Sequence, residues 1–181
     1  MDVDAYWFED EVWQGFLPTE SRSALLERHV FQTYVAGLRF FPDGRDDPTF
    51  VPGSHLTLTP DPDNAWDPNA IAVWNEGSTQ QAGHIPAYIA VGLDPRRDRT
   101  AVALYEQMEA GLRVNLGILI SREPLTLRRV PDSDERAAWA AGAVAKLKAI
   151  LAESREPVET TGDPMEQMRR MAEDLRRPEV T

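Results

Sequence analysis

The chain has 181 residues, enough for one domain of ordinary size with extensions and for a core that needs no metal or cross-link. It contains no cysteine, which excludes disulfides, thiolate zinc sites and a cysteine nucleophile, and which suits a reducing compartment. A net charge of −11 rules out a long positively charged groove, because Lys and Arg supply most of the non-specific affinity for a phosphate backbone.

The charge is unevenly spread. Residues 1–30 carry seven acids and two bases, whereas between 31 and 130 all nine basic residues are arginine. Arginine grips phosphate bidentately and stacks on bases, so a small local anion site remains possible. The acidic first residues, and the lack of an apolar run near the ~18–20 residues a membrane span requires, predict a soluble, cytoplasmic protein with no membrane partner.

In chain order, residues 1–30 form an acidic arm rich in aromatics (Tyr6, Trp7, Phe8, Trp13, Phe16) that ends in a short helix around Ser23–Arg28. Such an arm packs against its own domain or serves as a partner peptide. A β-rich block over 31–130 follows. Its predicted strands are His29–Phe41, Ser54–Thr59, Ala70–Asn75 and Gln80–Ile85, with a turn-rich loop over Pro42–Pro52. Pro86 suits the first turn of a helix over Pro86–Gly92, and a second helix is predicted at about Arg97–Ala110. Leu112–Ser121 and Leu125–Val130 alternate like a hairpin around Arg122-Glu123-Pro124. The fold class is therefore mainly β with helices (α+β): a small barrel or strongly curved sheet of about six strands, with two short inserted helices.

At the C-terminal end, Asp132 and Glu135 make a capping-box-like start. Ala140, Val144, Leu147 and Leu151 recur at helical spacing, which predicts an amphipathic helix over Ser133–Glu153, the core of a segment 131–155 packed on the barrel. Residues 156–181 read as a linker and a terminal helix capped by Asp163, with Met165, Met168, Ala172 and Leu175 on one face. That helix either docks on the domain or presents an adaptable surface to a protein partner.

Three segments in the β-rich block are odd choices for scaffolding alone. In Gly37-Leu38-Arg39-Phe40-Phe41, two consecutive aromatics of a strand must face opposite ways. One of them can form a stacking surface beside Arg39, or both can pack under a neighbouring loop. The loop Asp61–Val73 contains two prolines and several Asn and Asp residues, and can close on itself so as to present Trp66 outward. A calcium-loop reading fails, since Ala65, Trp66 and Ala72 occupy positions that need a ligand, a glycine and a glutamate. In Gly83-His84-Ile85-Pro86-Ala87-Tyr88-Ile89-Ala90, a strand end turns into a helix start. There His84 can hydrogen-bond a phosphate or a terminal hydroxyl, or serve only as a structural histidine.

Together these segments resemble the HIRAN family, whose Gly-x-Arg-Tyr-Tyr, Asp-Pro-x-Asn-x-Tyr-Asp-x-Asn-Ala-Ile-x-Val and Gly-His/Tyr-x-Pro/Lys-x-x-x-Ala motifs occur in this order. The resemblance spans about 90 residues, and the middle motif is its most specific part. It implies an OB-like β-barrel that acts as a non-enzymatic nucleic-acid-binding module without cofactor or metal. It further implies recognition of single-stranded DNA at the 3′ end, in repair or replication. By motif match, Arg39 would contact phosphate; Phe40, Phe41 and Trp66 would stack against or wedge the terminal bases; Asn64 and Asp67 would bond the end nucleotide or its 3′-hydroxyl; and His84 would lie near a phosphate. The chain departs from the pattern at Phe40 and Phe41, which lack the family's phenolic hydroxyls, and at Ala87, where a DNA-binding relative has lysine. The acidic flanks and the Met-lined terminal helix support an alternative, a protein-interaction module that binds no nucleic acid. The sequence shows no Gly-x-Ser-x-Gly or phosphate-binding glycine motif, which argues against an enzyme.

Overall fold

The structure, a computed structural model, describes residues 1–94, 96–131, 141–146 and 148–149. Among the described residues of its first compact unit, 1–140, there are nine strands, three short α-helices and two 3₁₀ turns. In order these are β1 (Asp2–Glu9), β2 (Trp13–Pro18), α1 (Arg22–Glu27), β3 (Phe31–Tyr34), a 3₁₀ turn at Leu38–Phe40, α2 (Pro42–Arg45) and a second 3₁₀ turn at Pro48–Phe50. Then come β4 (His55–Pro60), β5 (Ile71–Asn75), β6 (Gln81–His84), α3 (Ala87–Ala90), β7 (Thr100–Glu109), β8 (Leu112–Ser121) and β9 (Thr126–Arg129).

The sheet is organised on β7. One edge pairs along its length with β8; the other is shared, with Thr100–Val102 against β4 and Tyr105–Gln107 against β2. β5 and β6 extend the sheet beyond β4, β1 and β9 extend it beyond β2, and β3 lies on the far side of β8. Leu56 and Leu58, Ile71 and Val73, and Leu116, Ile118 and Ile120 alternate onto one face and form the main core with Phe50, Leu38 and Ile85. Burial of such side chains, worth about 1.5–3 kcal/mol each, is what holds the strands in register.

Two glycines make room for Tyr105 at the crossing of β2, β7 and β8. A Cβ on Gly15 would sit 2.4 Å from the Tyr105 Cα, and one on Gly117 would sit 2.2 Å from its ring. The ring thus lies flat across Gly117 and is sealed in, which pushes its hydroxyl pKa up to about 12.

The ladders do not close into the expected six-strand barrel. The stretch just after β3 meets β6 at an isolated bridge, in which Ala36 and His84 exchange backbone N–H···O bonds of 2.8 and 3.0 Å. This contact is possible because Gly83, at φ +155°, carries no Cβ; one would fall 2.3 Å from the Ala36 carbonyl oxygen.

Other expectations need correction. Residues 97–110 are rich in helix formers, yet Thr100–Glu109 is the central strand; Ala101 to Gln107 are all buried, and covering both faces overrides helix propensity. The strand predicted through Phe41 ends at Tyr34, because Gly37 adopts φ +80° and turns Leu38–Phe40 into a 3₁₀ turn. Thr126–Arg129 does not form a hairpin with β8 but pairs in parallel with β1 at Asp2–Ala5. Residues 2–9 and 13–18 are strands of the sheet, with Val3 and Ala5 fully buried.

Within the helix predicted over 133–153, residues 141–146 and 148–149 are helical. The remainder of that helix, the linker and the Met-lined terminal helix lie outside the described residues. No helix among the described residues is long and apolar enough to cross a membrane.

Candidate nucleic-acid interface

The bridge between β3 and β6 sets the position of His84, and three separate stretches of chain meet there. The His84 Nε2 lies 2.9 Å from an Asp61 carboxylate oxygen, so this nitrogen carries the proton and donates it. Two carboxamide nitrogens, of Asn64 and Gln81, also approach Nε2, each at 3.3 Å. With Nε2 protonated and donating to Asp61 it cannot accept from them, so they are close neighbours rather than donors to it. The Phe41 ring meets the imidazole edge-on, with centroids 5.4 Å apart. The other imidazole nitrogen, Nδ1, makes no hydrogen bond among the described residues, and no unpartnered side-chain nitrogen or oxygen is sealed from solvent. It therefore reaches water.

The loop between β4 and β5 is built by its own side chains. Asn64 accepts the backbone N–H groups of Trp66 and Asp67 on its carboxamide oxygen, at 3.0 and 3.2 Å, and donates to Asp61 at 3.2 Å. Asp67 accepts the Asn69 N–H at 2.8 Å, and the Asp61 N–H closes the loop base on the Ala70 carbonyl at 2.8 Å. The His84 and Asn64 bonds hold the Asp61 carboxyl below the usual carboxylate range. Trp66 stands 53% exposed.

On the other side of His84, Gly37 starts the turn that places Arg39 and Phe40 outside and Phe41 half inside. The Arg39 guanidinium lies over the Phe40 ring, 4.7 Å from its centroid, and Phe40 is 57% exposed. Phe41 then leads into α2, which is clamped from two sides. Gly44 touches the Gln81 carbonyl so closely that a Cβ would fall 1.8 Å from its oxygen. Arg113, buried on β8, donates to the carbonyls of Arg45 and Asp47 while its Nε pairs with Glu106 at 2.7 Å.

Of the seven sequence-predicted residues, Phe41, Asn64 and His84 are in direct contact around one point. Trp66 and Asp67 belong to the loop that Asn64 organises, while Arg39 and Phe40 form the exposed edge beside Phe41. Asn64 engages both its carboxamide oxygen and its nitrogen within the loop, and Asp67 gives one carboxylate oxygen to Asn69. Sequence reasoning missed Asp61 as the partner of His84 and Gln81 as its neighbour. The spacing offered one sign of the first: Asp61 opens the same motif as Asn64. Among the described residues no group of three or more His, Asp or Glu could hold a metal ion.

Residues 29–121 match the family model of the HIRAN domain. That span runs from just before β3 to the end of β8 and contains all seven residues, but leaves out β1, β2 and β9. Among solved structures, the crystal structure of the HIRAN domain of human HLTF is similar at 21% identity, over 50% of this chain and 74% of that one, with a TM-score of 0.37. No curated protein matches the chain.

Proposed function

The chain belongs to the HIRAN domain family, generally a DNA-binding module, and we propose that it binds single-stranded DNA at the 3′ end in a repair or replication context, without catalysing a reaction. The observation that carries this reading is the convergence on His84. A rigid loop bearing exposed Trp66, through Asp61, and a turn bearing exposed Phe40, through Phe41, meet the same imidazole, and Arg39 lies over the outer aromatic. Exposed rings are costly in water and become useful when a base covers them, since base–aromatic stacking is worth about 1–3 kcal/mol per base. Arg39 provides a phosphate contact, and His84, whose Nδ1 is a lone pair while Nε2–H is given to Asp61, can accept a hydroxyl or a base N–H of the strand. Asn64 acts by positioning: it shapes the loop from which Trp66 projects and leaves the strand end to Asp67, whose second carboxylate oxygen can accept a 3′-hydroxyl.

Fluorescence anisotropy with short single-stranded oligonucleotides tests the reading. Trp66→Ala should weaken binding about 5- to 150-fold, the equivalent of one lost stacking contact, with little change in the melting temperature because about half of the residue is exposed. Arg39→Ala should remove one phosphate contact and flatten the log–log salt slope by about 0.7. Affinity for every oligonucleotide equal to that of the wild type in both variants would place the strand elsewhere.

A further inference from the structure

Beside Phe41, a groove of about 250 Å³ runs between α2 and the β5–β6 turn. Its walls are aromatic, with Phe40 and Phe41 on one side and Trp74 on the other, and Asp43, Gln80 and Gln81 provide its polar edge. The floor is fixed. Gly44 rests on the Gln81 backbone, and the Asn75 carboxamide oxygen accepts the N–H groups of Thr79 at 2.8 Å and Gln80 at 3.2 Å. Gln81 is occupied, donating to the Gly83 carbonyl at 3.3 Å. The Asp43 carboxylate and the Gln80 carboxamide, by contrast, make no hydrogen bond or ion pair among the described residues, and Asp43 is exposed.

We infer that this groove is a subsite for one nucleobase of the bound strand, and that it selects guanine. The inference rests on the proposed strand binding and extends it to base identity. A free carboxylate repels phosphate, so whatever part of a strand enters must be a base and not the backbone. Aromatic walls accept the flat face of any base. The polar edge distinguishes among them. Guanine places N1–H and the N2 amino group side by side, a donor pair that fits the two oxygens of one carboxylate, and its O6 can accept from the Gln80 amide. Adenine, cytosine and thymine each offer a single donor group on that edge and leave one carboxylate oxygen unpaired.

The test uses the full chain and 5′-labelled oligothymidylates in which one thymine at a time, counted back from the 3′ end, is replaced by guanine, adenine, cytosine or hypoxanthine. Guanine at one position should tighten binding about ten-fold over thymine, the scale of a bidentate base contact. Hypoxanthine, which lacks the amino group, should lose most of that gain, and Asp43→Asn should bring the guanine and thymine strands to the same affinity. Equal affinity for all bases at every position in the wild type, or a guanine gain that survives in Asp43→Asn, would overturn the subsite while leaving strand binding intact. Failure of every oligonucleotide to bind would overturn both.

Discussion

Arg113→Leu should lower the free energy of unfolding by about 3–5 kcal/mol, because it strands a buried carboxylate. The Arg113 and Glu106 side chains are 4% and 3% exposed, and the pair is bonded at 2.7 Å. Without the guanidinium, Glu106 keeps only Gln14 as a side-chain partner among the described residues, the Arg45 carbonyl loses a donor, and the Asp47 carbonyl is left with the Phe50 N–H at 3.3 Å. Urea denaturation followed by tryptophan fluorescence measures the cost. The double variant Arg113→Leu/Glu106→Leu should recover at least half of it, since a buried pair replaced by apolar groups leaves no uncompensated charge. A double variant no more stable than the single one would mean that the loss came from packing. This arginine also ties the sheet to the binding edge, because the carbonyls it holds end α2, the helix that Phe41 begins.

Gly44→Ala should have an effect of similar size, by a different route. The added methyl would meet backbone, 1.8 Å from the Gln81 oxygen and 2.4 Å from its carbon, and backbone cannot swing aside as a side-chain tip can. α2 must lift from β6, at a cost of about 3 kcal/mol or more, towards the upper end for overpacking. Phe41 moves with α2, so its edge-on contact with His84 is lost and strand binding falls along with stability. Exposed Asp43, in the same helix, tolerates Asn without such a penalty, so the pair of variants separates a steric effect from a helix-wide one. An unchanged melting temperature in Gly44→Ala would show that α2 is not seated on β6 as described.

These two clamps explain why much of the site was legible in the sequence and part of it was not. The loop Asp61–Val73 is a local object. Its Asn and Asp side chains bond backbone groups two or three residues away, so residue order alone shows that it closes and exposes Trp66. The short strands at 55–60, 71–75 and 81–84 and the helix after Pro86 were also legible, because their patterns and punctuation are local. What the sequence could not show depends on distant chain. Thr100–Glu109 has helix-forming residues and is a strand because β2, β4 and β8 all pair with it. The aromatic N-terminal stretch looked like an arm. Val3 and Ala5 gave only a brief alternation to mark it as β1, and its partner β9 lies more than a hundred residues away. Arg113 and Gly44, which hold α2, carry no motif; only the closeness of β8, α2 and β6 gives them their roles.

On the proposed function, the edge around His84 holds the 3′ end of a single strand. The most direct measurement is the affinity of the full chain for one labelled oligonucleotide in three forms: with a free 3′-hydroxyl, with a 3′-phosphate, and closed into a circle. Tight binding of the free end, with at least ten-fold weaker binding of the phosphorylated and circular forms, is the predicted result. Equal binding of all three forms, or no binding at micromolar protein and low salt, would contradict it.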